Sequence, residues 1–223
     1  MSPKNSDVLD RNQFRANLLE YTRRAFRLLP PLARPRILDV GCGSGVSTLE
    51  LARLSGGHVV AVDIDRQALD KLINKAASDG LSSRITVVQR SMLEMHFPPS
   101  SFEIIWTEGA ITFIGFERGL REWRSLLVPE GYLVVHDALS DLQRKIESTR
   151  TCGYAILGQF ELSQDVWWKE YYVPLKRHVE ALQALGSRDK RVISVINTAI
   201  LEIEEFDPKS DRFGSVFFIL KRV

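Results

Sequence analysis

The chain has 223 residues, 44% of them hydrophobic and 26% charged, with a formal net charge of +2. These values place it among ordinary globular proteins, with a core large enough for one α/β domain, and imply neither an acidic nor a basic partner. Cys42 and Cys152 lie far apart at no metal-ligand spacing, which argues against a disulfide framework and a zinc site.

In chain order, Phe14, Leu18, Tyr21, Ala25 and Leu28 recur at three- and four-residue intervals and predict a helix over Val8 to Leu29, stopped by Pro30, Pro31 and Pro35. Residues 1 to 35 hold seven Lys or Arg against three acids, which a solvated helix face explains more simply than a nucleic-acid arm. Arg36 to Val40 reads as a buried strand, Ser47 to Leu54 as a helix and His58 to Val62 as a second strand ending at Asp63. A helix over Arg66 to Ser78 with Gly80 near its end follows, then strands at Ile85 to Gln89 and Phe102 to Trp106. Phe116 to Leu127 is expected to be helical and Tyr132 to His136 to be the fifth strand. Beyond Asp137 the reading is a helix at Asp141 to Thr151, a strand at Tyr154 to Leu162, helices at Trp167 to Leu185 and Val192 to Glu205, and a last strand at Ser215 to Lys221. Strand and helix alternate through the middle of the chain, and the strands are apolar runs, as in a parallel sheet covered on both faces. No apolar stretch approaches a membrane span and Met1 to Arg11 has no hydrophobic signal core, so a cytoplasmic protein with no membrane contact is expected.

The segment "DVGCGSGV", residues 39–46, sets glycines between a strand and a helix. Glycine allows the sharp turn and a close approach by a ligand, and the helix N-terminus favours anionic or polar groups. A dinucleotide fingerprint would carry Gly or Ala where Val46 stands, and no Lys-Ser/Thr pair ends the loop in the manner of a phosphate-cradling P-loop. Asp63 closes the next strand 22 residues after Gly41, where an acid can accept hydrogen bonds from ribose hydroxyls.

Together these motifs resemble the class I S-adenosylmethionine-dependent methyltransferases. "ILDVGCGSGVSTLELA" is similar to that family's first motif, "VVAVDID" to its second, "ITVVQRSMLEMHFPPSSFEIIW" to its third strand through its fourth, and "SLLVPEGYLVVHD" to its fifth-strand signature. The resemblance implies a Rossmann-like, doubly wound, mostly parallel sheet of seven strands with an antiparallel last strand, an N-terminal helical lid (1–35), a cofactor-binding core (36–137) and a substrate-side half with a helical insert (138–223), all in a single domain. It implies S-adenosyl-L-methionine as cofactor. Asp39 and the backbone of Gly41 and Gly43 would hold its methionine end, Asp63 its ribose, and Ile64, Ser91 and Met92 its adenine. Ser91 departs from the acid common in the family, which implies weaker selection of adenine. Cys42 and Gly45 in the turn, with Thr107 and Glu108, complete the expected cofactor set.

Methyl transfer from a sulfonium is an in-line displacement, so the protein mainly positions a nucleophile and excludes water. Ligands of open parallel sheets sit at the C-terminal strand ends, which selects Glu108 and His136 as candidate catalytic residues. Each also has a structural reading, as a carboxylate bonded to nearby amides and as a satisfied strand-end histidine. Tyr21 on the N-terminal helix and Trp167, Trp168, Tyr171 and Tyr172 in the insert are candidate substrate contacts. On a regular helix Trp167 would share a stripe with Tyr171, and Trp168 with Tyr172, one stripe facing the core and the other open to a substrate. The expected partner is a small-molecule methyl acceptor, for a monomer or a homodimer without nucleic acid or metal. Methylation of RNA or protein, and a non-catalytic partner-binding role, are the competing readings.

Overall fold

The computed structural model describes residues 9–206 and 213–223; Val8, where the first helix was expected to start, lies outside them. The chain divides into two compact units. One comprises Leu19–Glu161 and Ser215–Val223, and the other the described residues before and between those segments.

The larger unit is built on a seven-stranded sheet: β1 (Arg36–Val40), β2 (His58–Asp63), β3 (Ile85–Gln89), β4 (Phe102–Glu108), β5 (Leu127–Ala138), β6 (Tyr154–Leu162) and β7 (Ser215–Arg222). The strand order is β3-β2-β1-β4-β5-β7-β6. β1 pairs in parallel with β2 and β4, β2 with β3 and β4 with β5, whereas β7 runs antiparallel to β5. From β1 the chain winds outward through β2 and β3 on one side and then through β4 and β5 on the other. Connections therefore diverge where β1 meets β4, the place at which open parallel sheets take their ligands, at the C-terminal strand ends. Ile37, Leu38, Val40, Ile104, Ile105, Leu133, Val134 and Val135 are essentially inaccessible, as expected of strands covered on both faces.

The helices begin and end where local chemistry dictates. α3 (Val46–Ser55) starts from Gly45 and stops at Gly56, both in the left-handed region. α4 (Arg66–Ser78) is capped by Asp65, whose carboxylate accepts from the N–H groups of Gln67 and Ala68. α5 (Phe116–Trp123) buries Leu120 and Trp123 and tightens into a 3₁₀ turn over Arg124–Leu126, in place of the single helix expected to Leu127. β5 also begins earlier than the predicted Tyr132. Phe102 pairs with Leu127 and Ile104 with Tyr132, so Pro129-Glu130-Gly131 forms an irregularity inside the strand, with Glu130 at φ +61°. α6 (Leu142–Thr151) then leads into β6.

The expected N-terminal helix is broken. A short α1 (Asn12–Arg15) gives way to a 3₁₀ turn over Ala16–Leu18 and then to α2 (Leu19–Arg27), and the boundary between the two units falls at this break. The smaller unit holds α1, α7 (Gln164–Trp167), a π-helical turn (Trp168–Tyr172), α8 (Val173–Ala184) and α9 (Lys190–Glu205). The π turn has a local cause. Pro174 has no N–H with which to bond the Glu170 carbonyl four residues earlier, and that carbonyl instead accepts from Asn17 Nδ2 at 2.8 Å. Leu9, Phe14, Tyr171, Leu175, Val179, Ile196 and Ala199 form the core of this unit.

Candidate functional site

The turn after β1 is held by its own backbone and by β2. Gly41, Gly43 and Gly45 all have positive φ, at +72°, +53° and +84°. The N–H groups of Gly41 and Cys42 both donate to the Val62 carbonyl, at 2.8 and 3.1 Å, tying the turn to the neighbouring strand. A Cβ on Gly41 would lie 2.2 Å from that of Ala110, and one on Gly45 2.2 Å from Leu72 Cδ1, whereas one on Gly43 would meet none of the described residues within 4 Å. Two of the glycines thus permit close packing, and the middle one faces open space. Beside it, Ser44 Oγ is buried with no hydrogen-bond partner among the described residues.

Asp63, at the end of β2, grips the middle of this turn. Its Oδ2 accepts from the Gly43 N–H at 2.7 Å and its Oδ1 from the Asp65 N–H at 2.9 Å. The following Ile64 is 70% exposed, an apolar surface next to a carboxylate. Ser91 Oγ accepts from the Leu93 N–H, and the Met92 carbonyl accepts from the Trp123 indole N–H at 3.4 Å. Below the turn Asp39 is buried and accepts from Thr48 Oγ1 at 2.6 Å. Burial pushes its carboxyl up to about 7; the Thr48 hydrogen bond opposes this, and the charges of Glu108 and Asp63 add to it. Burial likewise pushes the Cys42 thiol up, with Asp39 and Asp63 acting in the same direction, so the thiol of the turn stays protonated.

A second group of residues meets at the ends of β4 and β5. Thr107 is buried and its hydroxyl donates to the Val40 carbonyl at 3.0 Å, which joins β4 to the strand carrying the glycine turn. Glu108 and His136 are register partners. Glu108 Oε1 accepts from Thr22 Oγ1 at 2.9 Å and from the Trp106 indole N–H at 2.7 Å, and its Oε2 lies 4.0 Å from His136 Nδ1. The other imidazole nitrogen, Nε2, is 2.7 Å from Ser215 Oγ. His136 pairs across the antiparallel ladder with Phe217, and their rings stack at 4.1 Å, only 3° from parallel. Phe217 stacks in turn on Phe160, over which Arg24 places its guanidinium at 4.1 Å. Tyr21 is half-buried on α2, one residue before Thr22.

Thr22, Trp106, Ser215 and Phe217 were not among the residues selected from sequence. Thr22 lies 86 positions from Glu108 and Ser215 lies 79 from His136. The pairing of the last strand beside the fifth is the signal that could have pointed to Ser215 and Phe217, and the two-residue period of a strand the one that could have pointed to Trp106 beside Glu108.

The aromatic group of the insert lies in the smaller unit. Tyr171 is buried in its core, where it meets Phe14 edge-on at 6.2 Å and Trp167 at 5.9 Å. Trp168 and Tyr172 both pack on the buried Phe206, at 5.4 and 4.2 Å. Because the π turn alters the spacing, Tyr171 and Tyr172 also touch each other at 5.0 Å, and the two clean stripes of a regular helix merge into one aromatic cluster.

Residues 37–131 match a family model described as a methyltransferase domain. A sterol 24-C-methyltransferase of Gibberella zeae is 29% identical over 136 residues, which cover 57% of this chain and 36% of that one. The matched regions span about half or less of the first curated relatives. Among solved structures, the [4+2]-cyclase SpnF superposes with a TM-score of 0.71 at 20% identity, covering 91% of this chain and 80% of its own. Geranyl diphosphate C-methyltransferase from Streptomyces coelicolor A3(2), solved with Mg2+, geranyl diphosphate and S-adenosyl-L-homocysteine, gives 0.67 at 15% identity, covering 92% and 81%. The sheet order with its antiparallel last strand and the glycine turn agree with that match: over residues 37–131 the chain has the sequence of a methyltransferase domain, in a fold shared with the structures above.

Proposed function

We propose that this chain binds S-adenosyl-L-methionine along the Gly41–Gly45 turn and transfers its methyl group to a small-molecule acceptor. One observation carries the reading: the Asp63 carboxylate sits 2.7 Å from the N–H of Gly43, the one glycine of the turn whose missing side chain leaves open space. A cofactor lying there would meet backbone on one side and a ribose-binding acid at the edge. The buried and unpartnered Ser44 Oγ, in the same turn, is a further polar group that suits a ligand.

When bound, the cofactor supplies a sulfonium methyl as the electrophile. Asp39 and the turn would hold its methionine end, Asp63 its ribose, and Ile64 with Ser91 and Met92 its adenine. The charges of Asp63 and Glu108 help to keep the Asp39 carboxyl near 7, and three carboxylates gathered at the ends of β1, β2 and β4 favour a cationic ligand. An ammonium beside Asp39 would pull its titration down, so affinity for the cofactor should rise as pH passes upward through about 7. Glu108 and His136 are the chain's candidates for handling the acceptor. A small acceptor is the choice because the matched relatives include enzymes named for sterol and geranyl diphosphate methylation.

A second reading has a specific motive. A cyclase shares this fold, so the reading must separate cofactor binding from methyl transfer. Calorimetry and thermal shift with S-adenosylmethionine, its demethylated product and NAD test the first. The two sulfur cofactors should raise the melting temperature, NAD should not, and Asp63→Ala should remove most of the effect. No response of the unmodified protein at millimolar cofactor overturns the binding assignment. Binding without production of S-adenosylhomocysteine, across a broad panel of small acceptors, supports the non-catalytic reading.

A further inference from the structure

The helix α9 has two faces, and the smaller unit uses one of them for its core. Ile196 and Ala199, with Val192, Val195, Ile200 and Ile203 beside them, pack into that core. On the opposite face Ile193, Asn197 and Leu201 follow one another at four-residue spacing, which aligns them along the helix. All three are exposed, Ile193 to 40% and Leu201 to 60%. The charges of α9 also run against its own dipole. Its first turn carries Lys190 and Arg191 and its last turn Glu204 and Glu205, whereas a helix favours acids at its start and bases at its end. Asp189 caps the start and pairs with Arg191 at 3.2 Å. Lys190 and Glu204 are exposed and form no ion pair among the described residues.

We propose that this face is a contact between two copies of the chain, whose α9 helices pair antiparallel about a two-fold axis at Asn197. The face is symmetric about that residue: Ile193 and Leu201 each lie four positions from it, and Lys190 and Glu204 each seven. An antiparallel pair therefore sets Ile193 on Leu201 of the second copy, Lys190 against its Glu204, and the two Asn197 amides against each other. Each unlike pair occurs twice, as an isologous contact requires. Bringing Glu204 of one helix to the N-terminus of the other also relieves the dipole mismatch at both ends. A parallel pair would set Lys190 on Lys190 and Glu204 on Glu204, which like-charge repulsion disfavours. The central Asn197 fixes the register at some cost in affinity. The 16 residues of α9 extend about 24 Å, a face smaller than that of most stable interfaces. The dimer is accordingly reversible, with a dissociation constant of about 10–100 µM. Neither cofactor nor acceptor is needed for it.

Sedimentation velocity of the full chain, from about 1 to about 300 µM, tests the contact. A concentration-dependent monomer–dimer equilibrium is expected. Leu201→Lys should weaken it at least about tenfold with the melting temperature unchanged, because the side chain is exposed in the monomer. Asn197→Leu should tighten it, since apolar contact replaces a pair of buried amides. Lys190→Glu and Glu204→Lys should each weaken it alone. An equimolar mixture of those two variants should form a heterodimer at least about fivefold tighter than either variant by itself. In the mixture both cross-pairs are attractive, and in each separate variant both are repulsive. A role inside one chain would not respond to mixing. A monomer at every concentration overturns the proposal, and so does a dimer indifferent to Leu201→Lys or a mixture no tighter than its components.

Discussion

At the end of β1 the site is made mostly of backbone: three glycines with positive φ and two N–H groups on one carbonyl of β2, with the Asp63 carboxylate reaching across. At the ends of β4 and β5 it is made of side chains, Glu108 and His136, whose geometry is set by Thr22 from α2 and Ser215 from β7. The first region is specified by a few consecutive residues and one acid that closes the next strand. The second is specified by residues far apart in the chain, so its precision depends on the whole larger unit being folded. In the proposed reading the methyl donor takes the first kind of construction and the acceptor the second.

The sharpest way to break this contrast is within the turn itself. Gly41→Ala combines a left-handed conformation with a Cβ only 2.2 Å from that of Ala110 and should destabilise the protein by about 2–5 kcal/mol in urea unfolding. Gly43→Ala shares the positive φ but meets open space, so it should cost only about 1–2 kcal/mol of stability while weakening cofactor binding at least tenfold. Equal loss of stability in the two variants would show that the middle of the turn is packed rather than open.

Asp39 sharpens the comparison through pH. Its folded-state carboxyl titrates near 7, above the ordinary 3.8, so the folded protein holds the proton more tightly than the unfolded chain in that window. Stability without cofactor should therefore fall as pH rises from about 4 to about 7, and Asp39→Asn should flatten that slope. Melting temperatures at pH 5 and pH 8 measure it; an unchanged slope would mean that Asp39 is not the group responsible. The smallest effect belongs to the side-chain-built region. Thr22→Val should cost about 1 kcal/mol, the size of one hydrogen bond, and Thr22→Ser well under half of that.

Much of the fold could be read directly. The helix at Arg66–Ser78 and the strands at Arg36–Val40, Ile85–Gln89 and Tyr154–Leu162 have the bounds expected of them, because each is an uninterrupted periodic or apolar run between clear stop signals. The failures have physical causes. The N-terminal helix breaks at Ala16–Leu18, where the chain passes from one unit to the other, a tertiary event that a continuous apolar periodicity conceals. The helix expected at Trp167–Leu185 starts at Gln164 and contains a π turn because Pro174 withholds a donor; the expected pairs Trp167–Tyr171 and Trp168–Tyr172 are in ring contact, and a further contact between Tyr171 and Tyr172 joins them.

By itself the sequence determined the glycine turn and the acid beside it, where the proposed donor site lies. Glycine conformations, the acid closing β2 and the strand-to-helix turn are local and leave a local signature in "DVGCGSGV" and "VVAVDID". Only the tertiary structure decided how Glu108 and His136 are aimed. It brings Ser215 beside His136 by laying the last strand antiparallel to the fifth, and Thr22 beside Glu108 by seating α2. Neither meeting is encoded by spacing, since side chains 79 and 86 residues apart come together only once the sheet has been assembled.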